Sequence, residues 1–289
     1  MTSEASLHPP VARSGLTAIK GHGTENDFLV IPDLDGELSL SAGLVQALCD
    51  RHAGIGADGI LRVVRTELAT EPDVLSQAPE AEYFMDYRNA DGSIVEMCGN
   101  GVRVFGRYLR QAGLIDGPVN VATRGGVKGV TFDGDQVTVA MGLATARPER
   151  PTVDGRPSLA ALDLPNPHVV VELETEDELH ALDLTVAPRV EPPLPAGQNV
   201  EFFVRRGPDE VVMRVHERGV GETRSCGTGI CAVAVAAAGD QAGGAPWQVE
   251  VLGGRCTVGW APDGSVTLAG PAVLVGEVEI GERWLAEHR

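Results

Sequence analysis

Two short stretches carry the residues best suited to chemistry. "EMCGNGVRVFGRYL" places Cys98 before Gly99-Asn100-Gly101, and "RSCGTGICAVAVAA" places Cys226 before Gly227-Thr228-Gly229. A helical run follows each cysteine, so each thiol is expected at a helix start. There, N–H groups without an intrahelical partner and the positive end of the dipole bias a thiol toward thiolate and attract a carboxylate. The flanking glycines let backbone approach such a ligand closely. Two such sites facing each other across a domain cleft would put one sulfur on each face of a bound carbon. A thiolate would take a proton from one face and a thiol would return one to the other, while the helix ends stabilise charge on the substrate carboxylate. That is the chemistry of stereoinversion.

The other cysteines read differently. Cys49, Cys231 and Cys256 lie inside apolar runs and are expected as inert core residues. Cys226 and Cys231 are the one closely spaced pair, their spacing is not that of a zinc knuckle, and no histidine pair completes a tetrahedral set, so no metal is expected. No lysine sits in a setting recognisable for pyridoxal phosphate, so no cofactor is expected either. Five cysteines without dense spacing suit a reducing compartment and argue against a resting Cys98–Cys226 disulfide.

Composition narrows the classes further. A chain of 289 residues with 43% hydrophobic content can form one large core or two ordinary ones, and two domains are expected. The net charge of −18 disfavours nucleic acid and anionic membranes as partners. "MTSEASLHPPVARSG" has no apolar centre and reads as a disordered tail rather than a signal peptide or anchor. The longest apolar run, "ICAVAVAAA", is too short to cross a bilayer. A cytoplasmic protein is expected.

The elements that must position the two thiols are mostly strands. Short runs such as "DFLVIP", "ILRVVR", "YFMDYRN", "HVVVEL" and "VEFFVRR" are separated by Gly, Asp and Pro. "TFDGDQVTV" and "GWAPDGSVTL" read as antiparallel hairpins. Each hairpin follows a Cys-Gly-x-Gly helix after one intervening strand, so the order of elements repeats, which predicts two similar α/β units, each of mixed strands around one helix. The helix after Cys226 is apolar or small all round, as expected where sheet surrounds it. The helix after Cys98 shows a stripe of Val102, Phe105, Tyr108 and Leu109, with Arg103, Arg107 and Arg110 elsewhere. "ATARPERPTVDGRPS" reads as the linker between halves, and "TELATEPDVLSQAPEAE" as an acidic surface loop without chemistry.

Taken in order, "KGHGTENDFLVIPD", "YRNADGSIVEMCGNGVRVFGRYL", "LPNPHVVV", "GQNVEF" and "VHERGVGETRSCGTGICAVAVAA" resemble the PLP-independent diaminopimelate epimerases through most of the chain. The resemblance implies an α/β (α+β) fold of two pseudo-symmetric domains, each a mixed, mostly antiparallel sheet wrapped around a central helix, with the site between them. The halves would be residues 1–142, joined by a returning segment 272–289, and residues 143–271. The implied activity interconverts LL- and meso-2,6-diaminopimelate in lysine and peptidoglycan precursor synthesis, without a cofactor and compatibly with a homodimer.

Carried over position by position, Cys98 and Cys226 resemble the catalytic pair. Gly99, Asn100, Gly227 and Thr228 resemble the residues that hold the reacting carboxylate. Asn26, Asn89, Asn166, Asn199, Glu217 and Arg218 match substrate contacts, and His168 matches a histidine near the thiols. His168 could instead be a satisfied loop histidine, Asn89 a turn former within "NADGS", and "HERG" an exposed salt-bridged strand end. Two departures stand out. Gly59 occupies a place where many relatives have glutamine, so no side-chain contact is assigned there. Glu25 stands where many have glycine, so the freedom of that glycine at positive φ is lost. Alternatives on the same fold are a proline- or histidine-type racemase or a phenazine-pathway type of isomerase; outside it, a non-catalytic amino-acid binding protein would need neither thiol.

Overall fold

Runs such as "DFLVIP" and "VEFFVR" are apolar at successive positions, which suits strands covered on both faces. They form Asn26–Pro32 and Asn199–Arg205, most of whose residues are buried. The computed structural model describes residues 15–288, so the tail expected over residues 1–15 lies outside the described residues apart from Gly15. Among the described residues strands outnumber helices, of which there are six α-helices: α1 (Ala42–Cys49), α2 (Pro72–Leu75), α3 (Gly99–Gln111), α4 (Glu176–Ala181), α5 (Gly227–Ala238) and α6 (Glu282–His288).

The chain divides into two compact units. One holds the described residues up to Gly23, Asp27–Val137, and those from Ala272 onward; the other holds Thr24–Asn26 and Thr138–Pro271. In the first, Asn26–Pro32 pairs parallel with Gly59–Arg65, which pairs antiparallel with Tyr83–Asn89. Tyr83–Asn89 is parallel to Val119–Ala122, itself antiparallel to Lys128–Asp133. The second unit repeats that order. Asn166–Glu172 is parallel to Asn199–Arg205, which is antiparallel to Glu210–Glu217; this strand is parallel to Trp247–Val251, and Trp247–Val251 is antiparallel to Gly254–Trp260. A parallel pair needs a crossover connection. Helix α3 lies within the crossover from Tyr83–Asn89 to Val119–Ala122, and α5 within that from Glu210–Glu217 to Trp247–Val251.

Each of these helices is surrounded by the strands of its own unit. For α5 this follows from its small apolar composition. Helix α3 departs from the amphipathic stripe read in its sequence: Gly99 through Leu109 are all buried, including Arg103 and Arg107. Their long apolar stems fill space against the sheet, and Arg107 donates to the Gly134 carbonyl at 3.2 Å.

Two further expectations change. The "linker" is built into the second unit: Thr145–Ala146 pairs with Leu162 and Asp163, Thr152–Val153 pairs with Arg156–Pro157 and Val190–Glu191, and Val153 is fully buried. Strand pairing supplies partners for backbone that its Pro-rich composition made look irregular. The acidic insert also carries structure, because Val74 and Ala81 join a small core with Val64, Phe84 and Ala122. Glu71 there pairs with Arg124 at 2.6 Å. The "GWAPDGSVTL" hairpin forms as read, Gly254–Trp260 against Val266–Pro271, with Gly264 at φ +82°.

Candidate active site

Both Cys-Gly-x-Gly stretches start helices in the same way. Cys98 is the N-cap of α3 and Cys226 the N-cap of α5, each in extended conformation. Their carbonyls accept from Val102 N–H at 2.8 Å and Ile230 N–H at 2.9 Å. A helix start presents first-turn N–H groups beyond the reach of the i−4 ladder, so each forms a cradle suited to a carboxylate, and at α5 the Gly229 N–H bonds to the Cys226 sulfur.

In the second unit the sheet register gathers a polar cluster around Cys226. Asn166 and Asn199 open their strands, and His168 pairs in register with Asn199. The Val200–His216 pairing brings Asn199 level with Glu217, the last residue of its strand. Cys226 is buried, its sulfur 3.5 Å from Thr228 Oγ1 and 4.0 Å from Asn199 Nδ2. Burial pushes this thiol well above its ordinary range, the Glu217 and Glu201 carboxylates push it further, and Thr228 and the Gly229 N–H only partly oppose them. The bias toward thiolate expected from the helix start is thus overturned at Cys226, which rests as a thiol. Desolvation of a charge outweighs the dipole there.

Glu217 is also pushed up, first by burial, although Thr223 Oγ1 donates to its carboxylate. Asn199 Oδ1 accepts the Arg218 backbone N–H at 2.9 Å. The Arg218 side chain is exposed, lies over Gly197 and donates to the Ala196 carbonyl. His168 is no loop histidine. It is fully buried on a strand, with Nδ1 2.6 Å from Glu201 Oε1 and Nε2 3.1 Å from Asn166 Oδ1.

Asn26 belongs to this second unit through the turn before it. Thr24 Oγ1 lies 2.6 Å from Ser225 Oγ, next to Cys226, and Glu25 pairs with Arg224. Glu25 sits at φ +62° and Thr24 at φ +50°. The left-handed geometry that a glycine would take easily is kept, at roughly 1–2 kcal/mol per residue.

In the first unit, Cys98 is half-buried and Asn100 is buried on the first turn of α3. Asn89 ends its strand and closes the turn: its N–H donates to the Ser93 carbonyl at 3.0 Å and its Nδ2 to Ser93 Oγ at 3.1 Å. Its Oδ1 accepts from Tyr87 O–H at 2.9 Å. Gly59 pairs directly with Asn89, and a Cβ on Gly59 would come within 2.5 Å of the Arg88 carbonyl and 2.7 Å of the Tyr87 ring. The absent glutamine therefore has no room here.

In the second unit one set of bonds joins Asn166, His168 and Glu201, and another joins Arg218, Asn199, Cys226 and Thr228, with Glu217 bonded to the Cys226 thiol as well as acting on it through its charge. Cys49, Cys231 and Cys256 are buried, and burial pushes the Cys49 thiol up to about 12. Glu201, Thr223 and Tyr87 were missed. Glu201 left one signal, a lone carboxylate inside the otherwise apolar run "VEFFV". Among the described residues no group of His, Cys, Asp and Glu could hold a metal ion, and no helix is long and apolar enough to cross a membrane.

Comparison with known proteins gives one family. A family model described as diaminopimelate epimerase matches residues 18–146 and 161–275. The diaminopimelate epimerase of Streptomyces coelicolor is 50% identical over 286 residues, covering 92% of this chain and 96% of that protein. That of Thermobifida fusca is 48% identical over 273 residues, covering 90% and 96%. Among solved structures, a Bacillus anthracis phenazine biosynthesis protein of the PhzF family superposes with a TM-score of 0.66 at 15% identity, covering 93% of this chain and 100% of that one. A probable proline racemase from Agrobacterium radiobacter gives 0.64 at 15%, covering 92% and 93%. At such identities the likeness concerns the fold.

Proposed function

The chain belongs to the diaminopimelate epimerase family, and from that premise we propose that it interconverts LL- and meso-2,6-diaminopimelate, with Cys98 and Cys226 as its two acid/base groups. The observation that carries this reading is that both cysteines are N-caps at the same point of a repeated topology. Inversion at a carbon needs one group to remove a proton and another to deliver one to the opposite face. Cys226 rests as a thiol and is the donor in the first half of the exchange, which leaves Cys98 as the base. The N–H groups of Gly99, Asn100, Gly227 and Thr228 hold the reacting carboxylate and stabilise the charge that develops on it, so no pyridoxal phosphate is required.

The distal amino-acid centre must be held so that the reacting carbon stays aligned. Asn26, Asn89, Asn166 and Asn199 supply amide hydrogen bonds, and Glu217 accepts from an ammonium. Arg218 leaves the Ala196 carbonyl to grip the distal carboxylate through two N–H donors. We place the enzyme in the cytoplasm, on a cysteine usage of five residues without dense spacing, and a homodimer is the assembly to test by sedimentation.

Solvent deuterium incorporation into LL-diaminopimelate tests the reading. Wild type should exchange and epimerise without added pyridoxal phosphate, and Cys98→Ala and Cys226→Ala should each lose about 10²–10⁴-fold in turnover while remaining folded. A single variant with near-normal turnover would remove that cysteine from the mechanism. Comparable turnover of proline, histidine or lysine would overturn the substrate.

A further inference from the structure

Glu201 and His168 are both fully buried and lie 2.6 Å apart, Oε1 to Nδ1. The ring's other nitrogen is 3.1 Å from Asn166 Oδ1. Glu201 Oε2 is buried with no hydrogen-bond partner among the described residues. Glu217 and Cys226 are titratable groups close enough to feel this pair: Glu201 and His168 both act on Glu217, and Glu201 acts on Cys226.

The first unit supplies an internal comparison. Phe28 pairs with Gly59 as His168 pairs with Asn199, so Phe28 and His168 occupy equivalent places. Two residues further along the second strand of each pair, Leu61 is the counterpart of Glu201. The contact with the helix is repeated as well. A Cβ on Gly101 would meet Leu61 Cδ2 at 3.2 Å and Phe28 Cζ at 3.6 Å, and a Cβ on Gly229 would meet Glu201 Oε1 at 2.8 Å. The same topology thus packs with two apolar side chains in one unit and with a carboxylate and an imidazole in the other. Burial of ionisable groups is costly unless they are paired, and the fold has an apolar solution available. A polar pair at this place points to function rather than packing.

We propose that Glu201 is a positioning residue of the reaction, acting through His168 to fix the direction in which the Asn166 amide faces the substrate. The proposal rests on the epimerase reading above. A carboxylate only accepts, so Nδ1 carries a proton toward Glu201. Nε2 faces the Asn166 amide oxygen, which also only accepts, so a proton on Nε2 is donated to Oδ1. The Asn166 Nδ2 group is then turned away from the ring, as a donor for a substrate carboxylate. Without the carboxylate the ring loses one proton, Nε2 becomes an acceptor, and the amide turns over to present its oxygen instead.

The test uses ring nitrogen resonances of the full-length protein labelled in histidine, with steady-state kinetics beside them. In wild type the His168 ring should be protonated on both nitrogens; in the isosteric Glu201→Gln variant it should hold one proton, on Nδ1. That variant should lose about 10- to 100-fold in kcat/KM, mostly through KM. Glu201→Leu with His168→Phe, which copies the first unit, should fold and still lose activity. A singly protonated His168 in wild type, unchanged kinetics in Glu201→Gln, or a fully active double variant would each overturn the proposal. The ring spectrum needs no substrate, so it decides Glu201 separately; failure of wild type to epimerise diaminopimelate would instead refute the proposed function.

Discussion

Replacing Gly229 by alanine puts a methyl carbon 2.8 Å from Glu201 Oε1, about 0.6 Å inside the 3.4 Å where ordinary van der Waals contact begins. The obstacle is a buried carboxylate already bonded to His168, so it has little freedom to move. Gly101→Ala is the matched control. Its methyl would meet the end of the Leu61 side chain at 3.2 Å, a smaller overlap with an apolar tip, and it would lie 3.5 Å from Cys98 Cβ just as the Gly229 methyl lies 3.4 Å from Cys226 Cβ. Contact with the cysteine is therefore common to both variants. Alanine gains about 0.8–1.0 kcal/mol over glycine in a helix, and overpacking costs about 1–3 kcal/mol. Gly101→Ala should stay within about 1 kcal/mol of wild type, whereas Gly229→Ala should lose up to about 2 kcal/mol, a few degrees in Tm. Activity separates them further. Distorting a hydrogen bond to a charged group costs about 1.5–3 kcal/mol, which is about 10- to 150-fold in kcat/KM. Thermal unfolding and deuterium-exchange kinetics on both variants measure this. Equal losses of kcat/KM in the two, or a fully active Gly229→Ala, would refute the reasoning.

Glu217 should trade stability for function. Its pKa is raised above the ordinary 4.5, so the wild type holds its full contribution below pH 4.5 and loses stability as pH rises through the folded-state value. Glu217→Gln removes that loss, so its Tm should gain on wild type between pH 4.5 and 7 while turnover falls about 100-fold or more; a gap that narrows with rising pH would contradict this. Gly59→Ala should destabilise by about 1–3 kcal/mol, because its methyl would press on the Arg88 carbonyl and the Tyr87 ring. An unchanged denaturation midpoint would show that the strand yields there.

Some features of this protein are local, and the sequence alone determined them. A cysteine followed by Gly-x-Gly and a helical run starts a helix because the relevant torsions and first-turn N–H groups belong to adjacent residues, and both N-caps formed where they were read. The Pro-Asp-Gly turn closed its hairpin for the same reason. The repeat of helix, strand and hairpin was legible because it is an order of elements along the chain. Burial and partnership were settled by tertiary structure. Arg103 and Arg107 looked like the outer face of α3 until strands enclosed that helix on every side. The Pro-rich stretch after residue 143 looked like a linker until short pairings tied it into the second unit. Helix-start physics favoured a thiolate at Cys226, and only the fold, by burying the sulfur beside Glu217 and Glu201, made it a thiol. Glu201 stands 33 residues from His168, and the two meet because their strands run parallel in a fixed register. A charge's protonation depends on its surroundings, and those surroundings are assembled from residues distant in the chain.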